Sequence, residues 1–173
     1  DLDGPIADFE AGFLKEWKRK FPHSFFVPPE KRHNFHIAED YPEELREKAN
    51  KIYHEKNFIL NLPVVPGSVE AIKEMGRLGF KVSICSSPLS NYKNCVSEKY
   101  QWVENNLGFD FTKKIILTKD KTLIKGTYLI DDNPTIEGMI EPEWEHIIYD
   151  CQYNKKNINK RRISWLNWKD ILK

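Results

Sequence analysis

From Gly67 onward the sequence alternates between two periods, and that alternation limits the chain to one class of architecture. Val69, Ile72, Met75 and Leu78 recur at helical spacing, Gly79 ends the run, and "FKVSIC" reads as a short buried strand. A helix over about Ser97 to Leu107 follows. Then come strands at "KIILT" and "TYLID", a turn at "DNP", a strand at "HIIYD" and a last helix in "SWLNWKDILK". Strands separated by helices predict a parallel sheet covered on both faces, an α/β core of Rossmann-like type. In such sheets chemistry gathers beyond the carboxyl ends of the strands.

The region before Gly67 has a different texture. Phe9, Phe13, Leu14, Trp17 and Phe21 are spaced by three or four, which predicts a helix closed by Pro22. A proline-rich aromatic stretch without a single period follows and reads as loop and short turns. "PEELREKANKIYHEKNF" then predicts a second helix, broken by "LPVVPGSV". The reading is a core of residues 1–8 and 63–173 with a small, mostly helical insertion at 9–62. A length of 173 residues suits one domain carrying such an insertion.

Charge excludes some functions. With 27 Lys+Arg against 26 Asp+Glu there is no global attraction to a nucleic acid polymer or an anionic membrane, so any anion site must be local. The basic run "KKNINKRR" lacks interleaved aromatics and reads as a solvated loop. Apolar stretches fall far short of a spanning helix, and the chain reads as soluble and cytoplasmic. Cys85, Cys95 and Cys151 show no close ligand spacing, so neither a disulfide framework nor a zinc site is expected.

Polar clusters follow directly on the predicted strands: "CSSP" at Cys85 to Pro88, "LTKDK" with Lys121, and "IDDNP" at Ile130 to Pro134. The chain itself opens "DLDGPIAD". A turn of that kind normally follows a buried apolar strand, so residues upstream of Asp1 are expected. In an extended segment Asp1 and Asp3 share a face, and like charges that close ask for a metal, a shared proton, or both. Carboxylates suit a hard divalent cation such as magnesium, while hydroxyls, backbone N–H groups and an ammonium suit phosphate oxygens. Together these describe a phosphoryl-transfer site.

At this point the residues resemble a known group. "DLDGPIAD", "CSSP", Lys121 and "IDDNP" resemble, in order, the four motifs of the haloacid dehalogenase (HAD) superfamily of phosphatases. "DFEAGFLKEW", "EKNF", "VPGSVEAIKEM", "EKYQWVE", "LTKDKT", "LIDDNP" and "WEHIIYD" resemble the 5'(3')-deoxyribonucleotidase family over almost the whole chain. The resemblance implies a HAD-like core whose helical insertion is a cap over the nucleoside. It implies Asp1 as nucleophile and Asp3 as acid, then base. Mg2+ would be held by Asp1, the Asp3 backbone carbonyl and Asp132, with Asp131 supporting, although the choice between these neighbours stays open. It places Ser86, Ser87 and Lys121 on phosphate, and Phe9, Phe35, His36, Ile37 and Tyr53 against the base. It also implies a homodimer and a deoxynucleoside monophosphate as substrate, handled through an aspartyl phosphate.

Two other functions stay in view. A phosphatase of this architecture could act on another small phosphate ester, or the chain could be a silent nucleotide- or RNA-binding protein. A nucleophile and an acid two residues apart argue against silence. Several residues read either way from the sequence: Asp8 as a helix-opening acid, and Lys99 as a phosphate contact or a solvated helix face. His33, His36, His54 and His146 form no ligand pattern and read as loop or surface histidines.

Overall fold

In the computed structural model, which describes residues 1–172, every strand pairing is parallel, as the alternation predicts. Strands β1 (Ile84–Ser86) and β2 (Ile115–Leu117) form one group, in register from Ile84 opposite Ile115 to Ser86 opposite Leu117. Strands β3 (Tyr128–Asp131), β4 (Glu145–Tyr149) and β5 (Arg162–Ile163) form the other, in that order. The chain start lies between the groups. The Asp1 backbone nitrogen donates to the Ile130 carbonyl of β3 at 2.5 Å, and the Asp3 carboxylate shares Lys99 with Ser86 of β1.

Helices α3 (Ser68–Arg77) and α4 (Tyr92–Leu107) cover the strands, α5 (Phe109–Thr112) turns the chain into β2, and α6 (Trp168–Ile171) closes it. Three boundaries differ from the sequence reading. Helix α4 starts at Tyr92 rather than Ser97, so its buried face begins with Cys95. The last helix is confined to α6, because Ser164 and Asn167 close a side-chain-bonded turn just before it. The basic run is exposed loop from Lys155 to Arg161, as expected, and only its last residue, Arg162, enters β5; Arg161 pairs with Glu145, and Arg162 with Asp150.

The two ends of the segment 9–62 lie side by side. Asp8 donates its amide to the Pro63 carbonyl at 2.7 Å, and Val65 to that of Ile6 at 2.8 Å. Helix α1 (Phe9–Lys20) begins there, its free amides met by the Asp8 carboxylate, which accepts from Ala11 N at 2.9 Å. Asp8 is thus a cap, as its position suggests. Gly12 lies so close to Leu62 that a Cβ would sit 2.4 Å from its Cδ2. After two short 3-10 turns at Pro29–Lys31 and Ile37–Asp40, helix α2 (Glu43–Tyr53) packs back onto α1. Phe13, Trp17 and Tyr41 are buried with their rings in contact, Trp17 and Tyr41 at 4.6 Å. Most aromatics of the insertion are therefore spent on its own packing. The hydrophobic cluster they belong to continues through Leu2, Ile6, Ile84 and Trp102 into the core. Burying a side chain of this size stabilises by roughly 1.5–3 kcal/mol.

Among the described residues no helix is long and apolar enough to cross a membrane. The three cysteines are free thiols, Cys85 and Cys95 buried and Cys151 half-buried.

Candidate active site

The carboxyl ends of the strands and the start of the chain converge on a cavity of about 450 Å³. Gly4 makes the convergence possible. It takes a φ of +97°, and a Cβ there would fall 2.6 Å from the Asp132 carboxylate, so only glycine lets the opening turn approach the end of β3. Asp1, Asp131 and Asp132 each offer a carboxylate oxygen, all within 4.8 Å of one another.

Each acid of this group has a distinct environment. Lys121, buried in the turn after β2, sits 3.2 Å from Asp1 Oδ1 and 2.5 Å from Asp131 Oδ2. The other Asp131 oxygen accepts the Asn133 amide at 2.9 Å. Burial alone would raise the Asp131 pKa, yet Lys121 and the Asn133 amide hold it below the usual carboxylate value. Asp132 goes the other way: burial and the neighbouring Asp131 charge push it up to about 7, against a hydrogen bond from the Tyr153 hydroxyl to its Oδ2 at 2.5 Å. Its Oδ1 is buried with no hydrogen-bond partner. A cation at this cluster would satisfy that oxygen and relieve the repulsion, so the residues present fit a divalent metal. Of the two neighbours, Asp132 is the one with an oxygen to spare.

Asp3 stands apart from that cluster. Although it lines the same cavity as Asp1, its Oδ2 is held by the ammonium of Lys99, which also donates to Ser86 Oγ at 2.9 Å. The two opening aspartates thus have one lysine each rather than a single shared spot. Lys99 is wholly buried, which removes the solvated-face alternative. Ser86 is buried behind the cavity, whereas Ser87 lines it.

The opposite wall is aromatic. Phe9, Phe35, His36, Ile37 and Tyr53 all line the cavity, joined by His54. Phe9 contacts Tyr53 at 5.8 Å and Phe58 edge-on at 5.2 Å; Phe35 contacts His36 at 5.1 Å. Of the other histidines, His146 is on β4 rather than in a loop, and its Nδ1 lies 2.8 Å from Lys160 Nζ.

Several contributors escape a motif-based reading. Glu98 accepts the amides of Asn57, Ile59 and Leu60, fixing the return of the insertion next to Lys99. The signal for this pair is periodicity: Cys95, Glu98, Lys99, Trp102 and Val103 are the buried stripe of α4, which puts both charges on an inward face. Asn154 donates to the Asp132 and Tyr149 carbonyls at 2.8 and 2.9 Å. Neither it nor Tyr153 stands in a recognisable motif.

An α/β core with aspartates and lysines collected at the ends of parallel strands defines a phosphatase of the HAD-like class. The family model described as 5' nucleotidase, deoxy (pyrimidine), cytosolic type C protein matches residues 1–173, and the chain belongs to that family. A Bordetella pertussis protein provisionally named a 5'(3')-deoxyribonucleotidase is 51% identical over 172 residues, 99% of this chain and 92% of the relative. The human cytosolic-type 5'(3')-deoxyribonucleotidase is 43% identical over 182 aligned positions, 99% of this chain and 90% of the relative. The human mitochondrial 5'(3')-deoxyribonucleotidase is 42% identical, again over 99% of this chain and over 80% of its own length.

Proposed function

We propose that this protein is a magnesium-dependent 5'(3')-deoxyribonucleotidase that hydrolyses deoxynucleoside monophosphates through an aspartyl phosphate. The observation that carries the reading is the pairing of two walls: Asp1, Asp3 and Lys121 on one side of a cavity, Phe9, Phe35 and Tyr53 on the other. Family membership and the names of the relatives support it. Residues 9–62 act as the cap, closing over the nucleoside while phosphate faces the strand ends.

Asp1 attacks phosphorus, forming the acyl phosphate as the ester P–O bond breaks. The leaving nucleoside oxygen takes its proton from Asp3. The Asp3 carboxylate then receives a proton from water, whose oxygen attacks phosphorus and releases phosphate with Asp1 regenerated. Lys121 offsets the charge on Asp1 and phosphate, Ser87 and backbone N–H groups donate hydrogen bonds to phosphate oxygens, and Lys99 holds Asp3 in place. Magnesium would be held by Asp1, Asp132 and the Asp3 backbone carbonyl; when bound it gives phosphate oxygens a positive centre and makes phosphorus more electrophilic. The aromatic wall suits a base, since every base offers a π face. A pocket that offers no partner to a ribose 2'-hydroxyl favours the deoxy form.

The test is phosphate release from dUMP, dTMP, dGMP, UMP and a sugar phosphate, each with magnesium and with excess chelator. Release that needs magnesium and favours the deoxynucleotides is expected. Turnover of the sugar phosphate alone would keep the chemistry and overturn the substrate, and no turnover of any compound by folded protein would overturn both.

A further inference from the structure

The loop after β4 reaches Asp132 from two sides. Asn154 donates to its backbone carbonyl and to that of Tyr149, while the Tyr153 hydroxyl takes the carboxylate Oδ2 at 2.5 Å. Asn154 is itself fixed, since its Oδ1 accepts from the Cys151 amide at 3.1 Å and from Arg162 Nη2 at 2.6 Å. One Asp132 oxygen is therefore occupied, and the other is left buried and unpartnered.

The same tyrosine ring is touched from the insertion. The Arg32 guanidinium carbon lies 5.5 Å from the ring centroid, and Phe35 meets the ring edge-on at 6.1 Å. Arg32 is buried although it stands in a loop. Its Nε reaches Glu10 Oε2 at 2.9 Å, its Nη1 is paired with Asp40, and its Nη2 reaches the Phe35 carbonyl at 3.5 Å. A planar cation paired on its edges leaves its face free for an aromatic ring. Tyr153 is thus clamped between the insertion and a candidate metal ligand, and one of its neighbours, Phe35, belongs to the aromatic wall.

We propose that Tyr153 is a positioning residue that presents Asp132 to a divalent cation through a single oxygen, and that Arg32 and Phe35 tie this presentation to the state of the cap. The inference rests on the metal site proposed above. Groups that orient a metal ligand commonly cost 10–100-fold in metal affinity when removed. Here the second consequence is linkage. A nucleoside seated against Phe35 restrains the ring, and a restrained ring holds the carboxylate, so nucleoside and cation each strengthen the binding of the other.

The experiment titrates the free protein with Mn2+, reading unbound ion by electron paramagnetic resonance, with and without deoxyuridine, which carries no phosphate to ligate the ion. Wild type should bind one Mn2+, several-fold more tightly with deoxyuridine present. Tyr153→Phe keeps the ring and its packing, and should bind Mn2+ about tenfold more weakly, with the response to deoxyuridine gone. Arg32→Lys, which keeps a cation between Glu10 and Asp40 but not the planar face, should lose about threefold, the size of one lost guanidinium–ring contact. Asp132→Asn separates the two readings. If it binds Mn2+ like wild type, or if wild type binds none, the metal site itself is overturned. If Asp132→Asn abolishes binding while Tyr153→Phe retains wild-type affinity, the site stands and the positioning role falls. Wild-type affinity in Arg32→Lys together with an unaltered deoxyuridine response in Tyr153→Phe would overturn the link to the cap.

Discussion

The two walls of the cavity are built on opposite plans. On the polar wall the buried charges are held by fixed partners, Lys121 on Asp1 and Asp131, Lys99 on Asp3 and Ser86, Tyr153 on Asp132, and one oxygen each of Asp3 and Asp132 is left buried and unpartnered. On the aromatic wall the residues meet at ring contacts of 5–6 Å, and Phe9, Phe35 and Tyr53 are only half-buried. Low-dielectric surroundings make a misplaced charge costly, so the polar wall is set before substrate arrives. Ring packing is less directional and can accommodate different bases. Under the function proposed above, the difference gives chemistry to one wall and selection to the other.

Breaking the polar wall should give the largest effect. Lys99→Met removes the partner of Asp3 and of the buried Ser86 hydroxyl. Loss of stability should be about 3 kcal/mol, the low end for a severed buried pair because Asp3 keeps some solvent. Turnover should fall about 10²–10³-fold, as when one preorganised charge is removed. The double variant Lys99→Met/Asp3→Asn separates these losses: the melting temperature should largely return while phosphate release does not. A single variant with wild-type melting and wild-type turnover would show that the polar wall does not depend on this pair.

The aromatic wall should fail differently. Tyr53 lines the cavity from α2, with its ring against Phe9 and His54. Stacking of one base is worth about 1–3 kcal/mol, so Tyr53→Ala should raise KM for dUMP by about tenfold and leave kcat within a few-fold. Steady-state kinetics on the deoxynucleotide decide the matter. A fall in kcat as large as the rise in KM would mean that the two walls do not divide the work.

How far the sequence discloses this arrangement depends on whether local pattern or long-range approach places a residue. The parallel strands and their polar ends are legible because "CSSP" and "IDDNP" directly follow apolar runs, and the chain order then brings Ser87, Lys121, Asp131 and Asp132 to one cavity. Lys99 is a candidate from the sequence, but its inward face, shared with Glu98, is legible only once α4 is extended back to Tyr92, because Cys95 completes the 3–4 spacing that turns both charges inward. Arg32 and Tyr153 have no such signal. Both lie in irregular segments about 120 residues apart in sequence, and only the folded chain stacks one on the other. Likewise β5 is two residues long at the end of a basic run, too short to carry a strand period of its own, and only its ladder to β4 defines it.

The smallest effect concerns what lies behind the polar wall. Lys160 donates to the Pro134 carbonyl at 3.0 Å, tying down the loop that follows Asp131 and Asp132, and its ammonium also meets His146 Nδ1 at 2.8 Å. That contact requires a lone pair on Nδ1, so the imidazole is neutral. Burial first, then Lys160, pull the His146 pKa from 6.5 down to about 4. The unfolded chain therefore binds a proton that the folded chain refuses between about pH 6.5 and pH 4. Over that window His146 makes stability fall as pH falls, whereas above pH 6.5 it contributes no pH dependence. Urea unfolding of wild type and His146→Gln at pH 7.5, 6 and 5 isolates the effect, since all other groups are common to both. The difference in stability between the two proteins should shift in favour of His146→Gln as pH falls. A constant difference would mean that His146 titrates alike in both states and that the tether behind the polar wall does not exclude its proton.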